Sequence, residues 1–313
     1  MARILTLTLN PALDLTVQLT RLEPGQVNRS DAMHTHAAGK GVNVAQVLAD
    51  LGHQLTVSGF LGEDNPQAFE ALFARRGFVD AFIRVPGETR SNIKLAESDG
   101  RITDLNGPGP RVSEAAQQAL LDRLDQIAAG HDAVVVAGSL AQGVSPQWFQ
   151  ALLIRLKNLG LKVALDTSGE ALRAGLAAGP WLIKPNTEEL AEALDNPVVS
   201  VVAQTQAASR LRAQGVEHVV ISHGADGVNW FSVGTALQAL PPKVSVASTV
   251  GAGDSLLAGM LHGLLSAHTP ERTLRTATAI AAMAVTQIGF GISDAAQLAQ
   301  LEQGVRVHPL TEQ

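Results

Sequence analysis

Five short, near-continuously apolar runs recur along this chain, each closed by polar or glycine residues and separated by segments of helical periodicity. The runs are Ile4–Leu9, Ala133–Ala137, Lys162–Leu165, Trp181–Ile183 and Val219–Ile221. The helical segments include Gly41–Leu51, Pro66–Arg76, Glu114–Ala128, Pro146–Leu159 and Ala203–Gln214. Strands apolar on both faces must be covered on both faces, and strands alternating with helices form a mostly parallel sheet between two helical layers. The expected fold class is therefore a three-layer α/β/α domain. In such sheets the ligand crevice lies beyond the carboxyl ends of the strands. The residues that follow the runs are the ones to inspect: Asn10, Gly138-Ser139, Asp166-Thr167-Ser168, Lys184-Pro185-Asn186 and Ser222-His223-Gly224.

Two segments break this rhythm. Leu13–Thr20 alternates strictly between apolar and polar residues, and Ser91–Leu95 does so more briefly. Strict alternation describes a strand with one apolar and one polar face, which does not suit a sheet buried on both sides. These strands are expected to form a small separate sheet, a lid over about residues 11–32 and 88–106, within one domain spanning 1–313. Its apolar face needs a cover, and a second copy of the chain is the simplest one.

The remaining classes narrow quickly. With no cysteine among 313 residues, disulfides, thiolate catalysis and cysteine-based zinc sites are excluded. A net charge of -6 without a basic run argues against nucleic acid as a partner. The apolar start is short and alternates like a strand, and no apolar stretch approaches the roughly 20 residues of a membrane span. A cytoplasmic protein acting on small molecules is the expectation.

The segment Val250-Gly251-Ala252-Gly253-Asp254-Ser255 precedes an apolar helical pattern. Glycines bring backbone N–H groups close to a ligand, and a helix start carries unpaired N–H groups and partial positive charge. Asp254 then stands where a base can take a proton from a hydroxyl facing a phosphate. Alternatively it is a helix N-cap. A second glycine loop, Ala37-Ala38-Gly39-Lys40-Gly41-Val42-Asn43, also enters a helix; Lys40 can reach an anion there, and Asn43 falls in the first turn. Asp14 belongs to the polar face of the alternating strand, and Arg90 opens the second such strand, where its planar fork suits a phosphate. Asn186 and Glu189 read as a capping box, or Glu189 as a Mg²⁺ holder through water. Ser222–Gly227 is a glycine turn that lines a nucleotide pocket or merely joins a hairpin. The nine histidines show no metal-ligand spacing, and His34 and His36 read as exposed loop residues.

Over essentially its whole length the chain resembles the PfkB, or ribokinase-like, carbohydrate kinases. The resemblance rests on ordered signatures: TLTLNPALD, AAGKGVNVA, TRSNIKL, GSLAQGV, LDTSGEAL, LIKPNTEEL and STVGAGDSLLAG. Ala141-Gln142 departs from the family, whose members often carry a proline there, while Gly143 is retained. The lysine loop, VSGFLGEDN and TRSNIKLAESDG are most similar to the bacterial 1-phosphofructokinase group. The resemblance implies transfer of the ATP γ-phosphoryl group, with Mg²⁺, to the 6-hydroxyl of fructose 1-phosphate. Tagatose 6-phosphate and fructose 6-phosphate are the alternative acceptors, and a non-catalytic sugar-phosphate sensor is the alternative of another class. Asp254 would be the base, and Gly251, Ala252 and Gly253 the anion hole. Asp14, Gly39, Asn43 and Ser139 would hold the sugar, and Lys40 and Arg90 its phosphate. Lys184, Asn186, Ser222, Gly224 and Gly227 would serve the nucleotide, and Glu189 the metal. A homodimer through the lid is the implied assembly.

Overall fold

The computed structural model describes residues 1–310. In chain order the elements are β1 (Arg3–Thr8), β2 (Ala12–Leu19), β3 (Ala32–Ala38), α1 (Lys40–Asp50), β4 (Gln54–Gly62), α2 (Gln67–Arg76), β5 (Val79–Asp80), β6 (Ile83–Val85), β7 (Arg90–Glu97) and β8 (Ile102–Asn106). Then come α3 (Glu114–Ile127), β9 (Ala133–Ala137), α4 (Pro146–Asn158), β10 (Lys162–Asp166), α5 (Gly169–Ala177), β11 (Leu182–Ile183), α6 (Thr187–Leu194), α7 (Val201–Ala213) and β12 (His218–Ser222). Last are β13 (Val228–Ser232), β14 (Thr235–Leu240), α8 (Ala252–Leu265), α9 (Pro270–Ala284), α10 (Ala295–Gly304) and β15 (Arg306–Pro309).

The main sheet runs β15-β14-β13-β12-β11-β10-β9-β1-β4-β5, with β6 paired to β4. From β5 through β12 every pairing is parallel, and β13, β14 and β15 extend the sheet antiparallel. All five apolar runs lie in this parallel part. Successive side chains on a strand point to opposite faces, and the core divides accordingly. Ile4, Val135, Ala164, Leu182 and Val220 pack on one face beneath α1, α2, α8 and α9. Leu5, Val134, Val163, Ile183 and Val219 pack on the other beneath α3 to α7. That is the expected three-layer arrangement.

Helix α8 is buried over most of its length. It seats tightly on α9 because Gly259 lacks a side chain: a Cβ there would come within 2.5 Å of the Ala277 backbone. The helix that carries Asp254 is thus fixed by close packing rather than by its exposed surface.

The alternating segments form a separate four-stranded sheet, β3-β2-β7-β8. It includes β3, which extends to Ala38, beyond the expected boundary at residue 32, and it places His34 and His36 on a strand rather than in a loop. Register sorts its two faces. Leu15 pairs with Ile93 and Val17 with Leu95, while Asp14 pairs with Asn92 and Thr16 with Lys94. Met33 and Leu105 extend the apolar face and are 58% and 53% exposed. Among the described residues no helix is long and apolar enough to cross a membrane.

Candidate active site

A cavity of about 1360 Å³ opens at the carboxyl ends of the parallel strands. Of the helices that begin at it, α1 and α8 are headed by glycine. Gly39 (φ 130°) and Gly251 (φ 82°) occupy the N-cap positions and contribute no side-chain cap. By contrast α3, α4, α6, α7, α9 and α10 are each capped by the side chain of their N-cap residue. A helix start without a cap keeps its first N–H groups free for an external anion. The left-handed backbone at Gly251 also permits only a bare residue here: a Cβ would lie 2.6 Å from the Phe290 ring.

Asp254 stands in the first turn of α8 and is 6% exposed. Asn43, from the first turn of α1, donates from Nδ2 to Asp254 Oδ2 at 2.8 Å. Burial, followed by the charge of Asp166, pushes the Asp254 carboxyl up to about 6, although Lys40, Asn43 and Lys184 pull it down. Asp254 does not cap its own helix, so the capping alternative for it is set aside.

Asp166 ends β10 at the centre of the sheet, fully buried, between two ammonium groups. Lys40 Nζ lies 3.1 Å from Oδ1 and Lys184 Nζ 3.4 Å from Oδ2. Burial alone would raise the Asp166 carboxyl; the two lysines more than offset it and hold it below the usual range. Lys40 is held above its ordinary value: burial lowers it, and Asp166, Asp254 and Glu189 outweigh that. In the sequence Asp166 reads only as a strand-end residue. Its role as the anion between two lysines depends on partners 126 and 18 positions away. The second of these matters for α8, because a Cβ on Gly253 would come within 3.2 Å of Lys184 Nζ. The Lys184 ammonium therefore stands beside the uncapped helix start.

On the side of the small sheet, Asp14 and Asn92 line the cavity, with Asn92 Nδ2 donating to Asp14 Oδ1 at 3.0 Å. The sheet thus turns its polar face to the cavity. Burial raises the Asp14 carboxyl, with Asn92, Lys94, Arg90 and His36 acting against it. Arg90 also lines the cavity, yet it donates to three backbone carbonyls, those of Asn10, Pro11 and Gly107. Part of its fork is thus spent on tying the start of β7 to the loop after β1. Asn10, given no role from sequence, lines the same wall and donates to Ser139 Oγ at 3.1 Å and to the Leu140 carbonyl at 3.2 Å.

Across the cavity, Asn186 and Glu189 form a complete capping box. Asn186 Oδ1 accepts from the Glu189 N–H at 2.7 Å, and Glu189 Oε2 accepts from the Asn186 N–H at 2.9 Å. Both still line the cavity. The turn after Ser222 joins the antiparallel strands β12 and β13, and Ser222, His223, Gly224 and Asp226 also face the cavity. The hairpin and pocket readings therefore coexist. Gly227 does not line it; its place is against the Ala239 carbonyl, 2.1 Å from where a Cβ would stand. Ala252 is also absent from the wall, whereas Gly251, Gly253, Gly39, Lys40, Asn43, Ser139 and Lys184 are in it. A buried carboxylate, an uncapped helix start and a wall of polar side chains thus share one cavity.

Comparison with known proteins gives this arrangement a family. Residues 7–296 match the model of the pfkB family of carbohydrate kinases. The chain is 47% identical to the 1-phosphofructokinase of Vibrio cholerae over 308 residues, covering 98% of this chain and 97% of that protein. It is 46% identical to the Escherichia coli 1-phosphofructokinase, covering 98% of each. Among solved structures, the tetrameric inhibited form of Escherichia coli phosphofructokinase-2 superposes with a TM-score of 0.88 at 28% identity, covering 97% of this chain and 99% of that one. The same enzyme in complex with fructose-6-phosphate gives 0.86 at 26% identity, over the same shares.

Proposed function

The chain belongs to the pfkB family of carbohydrate kinases, and on that premise we propose that it transfers the γ-phosphoryl group of ATP to the 6-hydroxyl of fructose 1-phosphate, forming fructose 1,6-bisphosphate and ADP. The observation that carries the reading is the buried Asp254 at the head of an uncapped helix, with Asn43 on one oxygen and the Lys184 ammonium beside the adjoining glycine. The choice of fructose 1-phosphate over a 6-phosphate rests on identity: 46% and 47% to the 1-phosphofructokinases against 26% to the enzyme with fructose-6-phosphate.

In this mechanism Asn43 holds Asp254 Oδ2, which leaves Oδ1 to accept the proton of the sugar hydroxyl. The hydroxyl oxygen then forms its bond to the γ-phosphorus as the bond to the ADP oxygen breaks. Negative charge on the transferring group falls against the free N–H groups at the start of α8, with Gly251 and Gly253 lining the cavity. The geometry is set before reaction, as electrostatic catalysis of phosphoryl transfer requires. Lys184, paired with Asp166 at 3.4 Å, adds a cation at the same end. Asp14, Gly39, Asn43 and Ser139 hold the sugar. Lys40 and Arg90 receive its phosphate. Lys184, Asn186, Ser222 and Gly224 serve the nucleotide.

The site suits Mg²⁺ held mainly by phosphates and water rather than by a protein cage. Among the described residues no cluster of three metal-ligating side chains occurs, while Glu189 keeps one carboxylate oxygen outside its capping box. That matches the usual Mg²⁺ habit of one or two carboxylates plus substrate phosphates. When bound, the ion would offset the charge of the phosphates near Asp254.

We read the small sheet as a lid and its apolar face as the contact of a homodimer. Half-buried Leu15, Val17, Ile93 and Leu95 with exposed Met33 and Leu105 form a patch that a second copy would cover. The absence of cysteine and the small phosphorylated substrates fit a cytoplasmic enzyme.

The direct test is coupled ADP release with ATP and Mg²⁺ against fructose 1-phosphate, fructose 6-phosphate and tagatose 6-phosphate, compared by kcat/KM. Preference for fructose 1-phosphate is expected. Preference for a 6-phosphate would reverse the sugar in the cavity and leave the Asp254 chemistry intact, and no turnover with any would favour the sensor. Lys40→Ala is expected to raise KM for the phosphorylated sugar well above the wild-type value. Because it also strips one of two cations from Asp166, kcat should fall by a smaller factor. An unchanged KM would remove Lys40 from the phosphate site.

A further inference from the structure

The turn after β9 carries the Ser139 hydroxyl to the wall of the cavity, and it is gripped from two sides. From β10, the Asp166 carbonyl accepts from the Gly138 N–H at 2.9 Å, and Thr167 Oγ1 donates to the Gly138 carbonyl at 2.8 Å. From the loop after β1, Asn10 Nδ2 donates to Ser139 Oγ at 3.1 Å and to the Leu140 carbonyl at 3.2 Å. Asn10 is 8% exposed, and its own backbone carbonyl accepts from Arg90 Nη2 at 3.1 Å. One residue thus joins the Ser139 turn to the start of β7.

The Asn10 amide has only one workable orientation. A backbone carbonyl can only accept, so the end of the amide that faces Leu140 must be the NH₂ group. Oδ1 is left on the other side, shut off from solvent and close to Gly109, where a Cβ would come within 2.7 Å of it. With both amide hydrogens spent and Oδ1 shut off, the side chain has nothing left to offer a ligand, although it lines the cavity. Its effect passes to Ser139. A hydroxyl that accepts from Nδ2 keeps its one hydrogen to give elsewhere, and Ser139 is exposed in the cavity wall.

We propose that Asn10 is a positioning residue for the sugar phosphate: its amide fixes the Ser139 turn and leaves the Ser139 hydroxyl hydrogen to be donated to an oxygen of the bound sugar. The assignment rests on the reading of this cavity as a sugar-phosphate site.

A double-mutant cycle tests it, run with whichever of the three ketose phosphates the wild type turns over best. Asn10→Ala and Ser139→Ala should each raise KM for that sugar by about three- to tenfold, the worth of one net hydrogen bond, with kcat changed less and KM for ATP unchanged. Because Asn10 acts through Ser139, adding Asn10→Ala to Ser139→Ala should change the sugar KM by less than about twofold. A general loosening of the wall would instead raise KM for ATP as well, and would persist in the Ser139→Ala background. Asn10→Leu, which fills the space of the amide without its hydrogens, should repeat the Asn10→Ala pattern and serves if the smaller side chain unsettles the fold. Effects that multiply in the double variant, or a sugar KM untouched by Asn10→Ala and Asn10→Leu, would overturn the assignment while leaving the kinase reading intact. No turnover by the wild type with any of the three sugars would overturn both.

Discussion

Asp254→Asn is expected to lower kcat by about 10²–10⁴-fold or more, the usual worth of a general base, with KM for the sugar phosphate largely unchanged. The amide has the same shape, and its oxygen can still accept from Asn43 Nδ2, so the cavity is preserved and only the proton acceptor is lost. Steady-state kinetics decide it, and near-normal turnover would mean another group takes the proton. The wild type should carry the same residue in its pH profile. The carboxylate is the active form and burial raises it to about 6, so kcat/KM should fall as pH drops through about 6. A carboxyl raised in the fold also has a stability consequence. Its contribution to stability is greatest at low pH and declines as pH rises from the ordinary carboxyl value of 3.8 through about 6. At neutral pH an ionised Asp254 near Asp166 is thus a burden on the fold. Asp254→Asn should therefore melt higher than the wild type at pH 7 while being nearly inactive, the trade-off common at strained sites.

Much of this site was legible because its parts are local. Glycine at two helix starts, an aspartate in the first turn and polar residues after apolar runs are neighbours in sequence as well as in space. The five runs became parallel strands because residues such as Val134 and Val135 are buried on opposite faces, which only a covered sheet allows. β4 escaped notice, since Ser58 and Gly59 interrupt it like a turn. Gly59 is bare because β1 runs past it, with the Thr8 carbonyl 2.0 Å from where a Cβ would stand. That reason is tertiary. β13 and β14 escaped because this antiparallel hairpin carries no helix between its strands, and β15 because its partner β14 lies three helices back in the chain. Arg90 illustrates the same limit, since its three carbonyl partners come from two other loops. Gly227 shows the converse: the sequence marks a turn, but only packing against β14 reveals that its role is to fit under a carbonyl.

Asp166→Ala should be among the most damaging single changes to stability in this chain. Lys184 is 4% exposed and Asp166 fully buried, so removing the carboxylate leaves an ammonium in the interior with its anion gone. Breaking one side of a buried pair typically costs about 3–5 kcal/mol. Lys40, at 37% exposure, can turn towards water and softens its share of the loss. The melting temperature should fall by several degrees, at about 2–4 °C per kcal/mol or somewhat less for a chain of this size. Activity should fall as well, because the Lys184 ammonium beside Gly253 would lose the partner that holds it in place. The pH dependence carries the signature. Asp166 is held below its unfolded value, so its contribution to stability is present above the ordinary carboxyl range and lost as pH falls through the depressed one. The wild type should lose this part of its stability only in strong acid, and the variant should lack that component altogether. Adding Lys184→Met to Asp166→Ala tests the cause, since it removes the orphaned charge and leaves an apolar chain of similar length. The double variant should regain part of the lost melting temperature and none of the activity. A double variant no more stable than Asp166→Ala alone would mean that Asp166 acts through the backbone of β10 rather than through the ion pair.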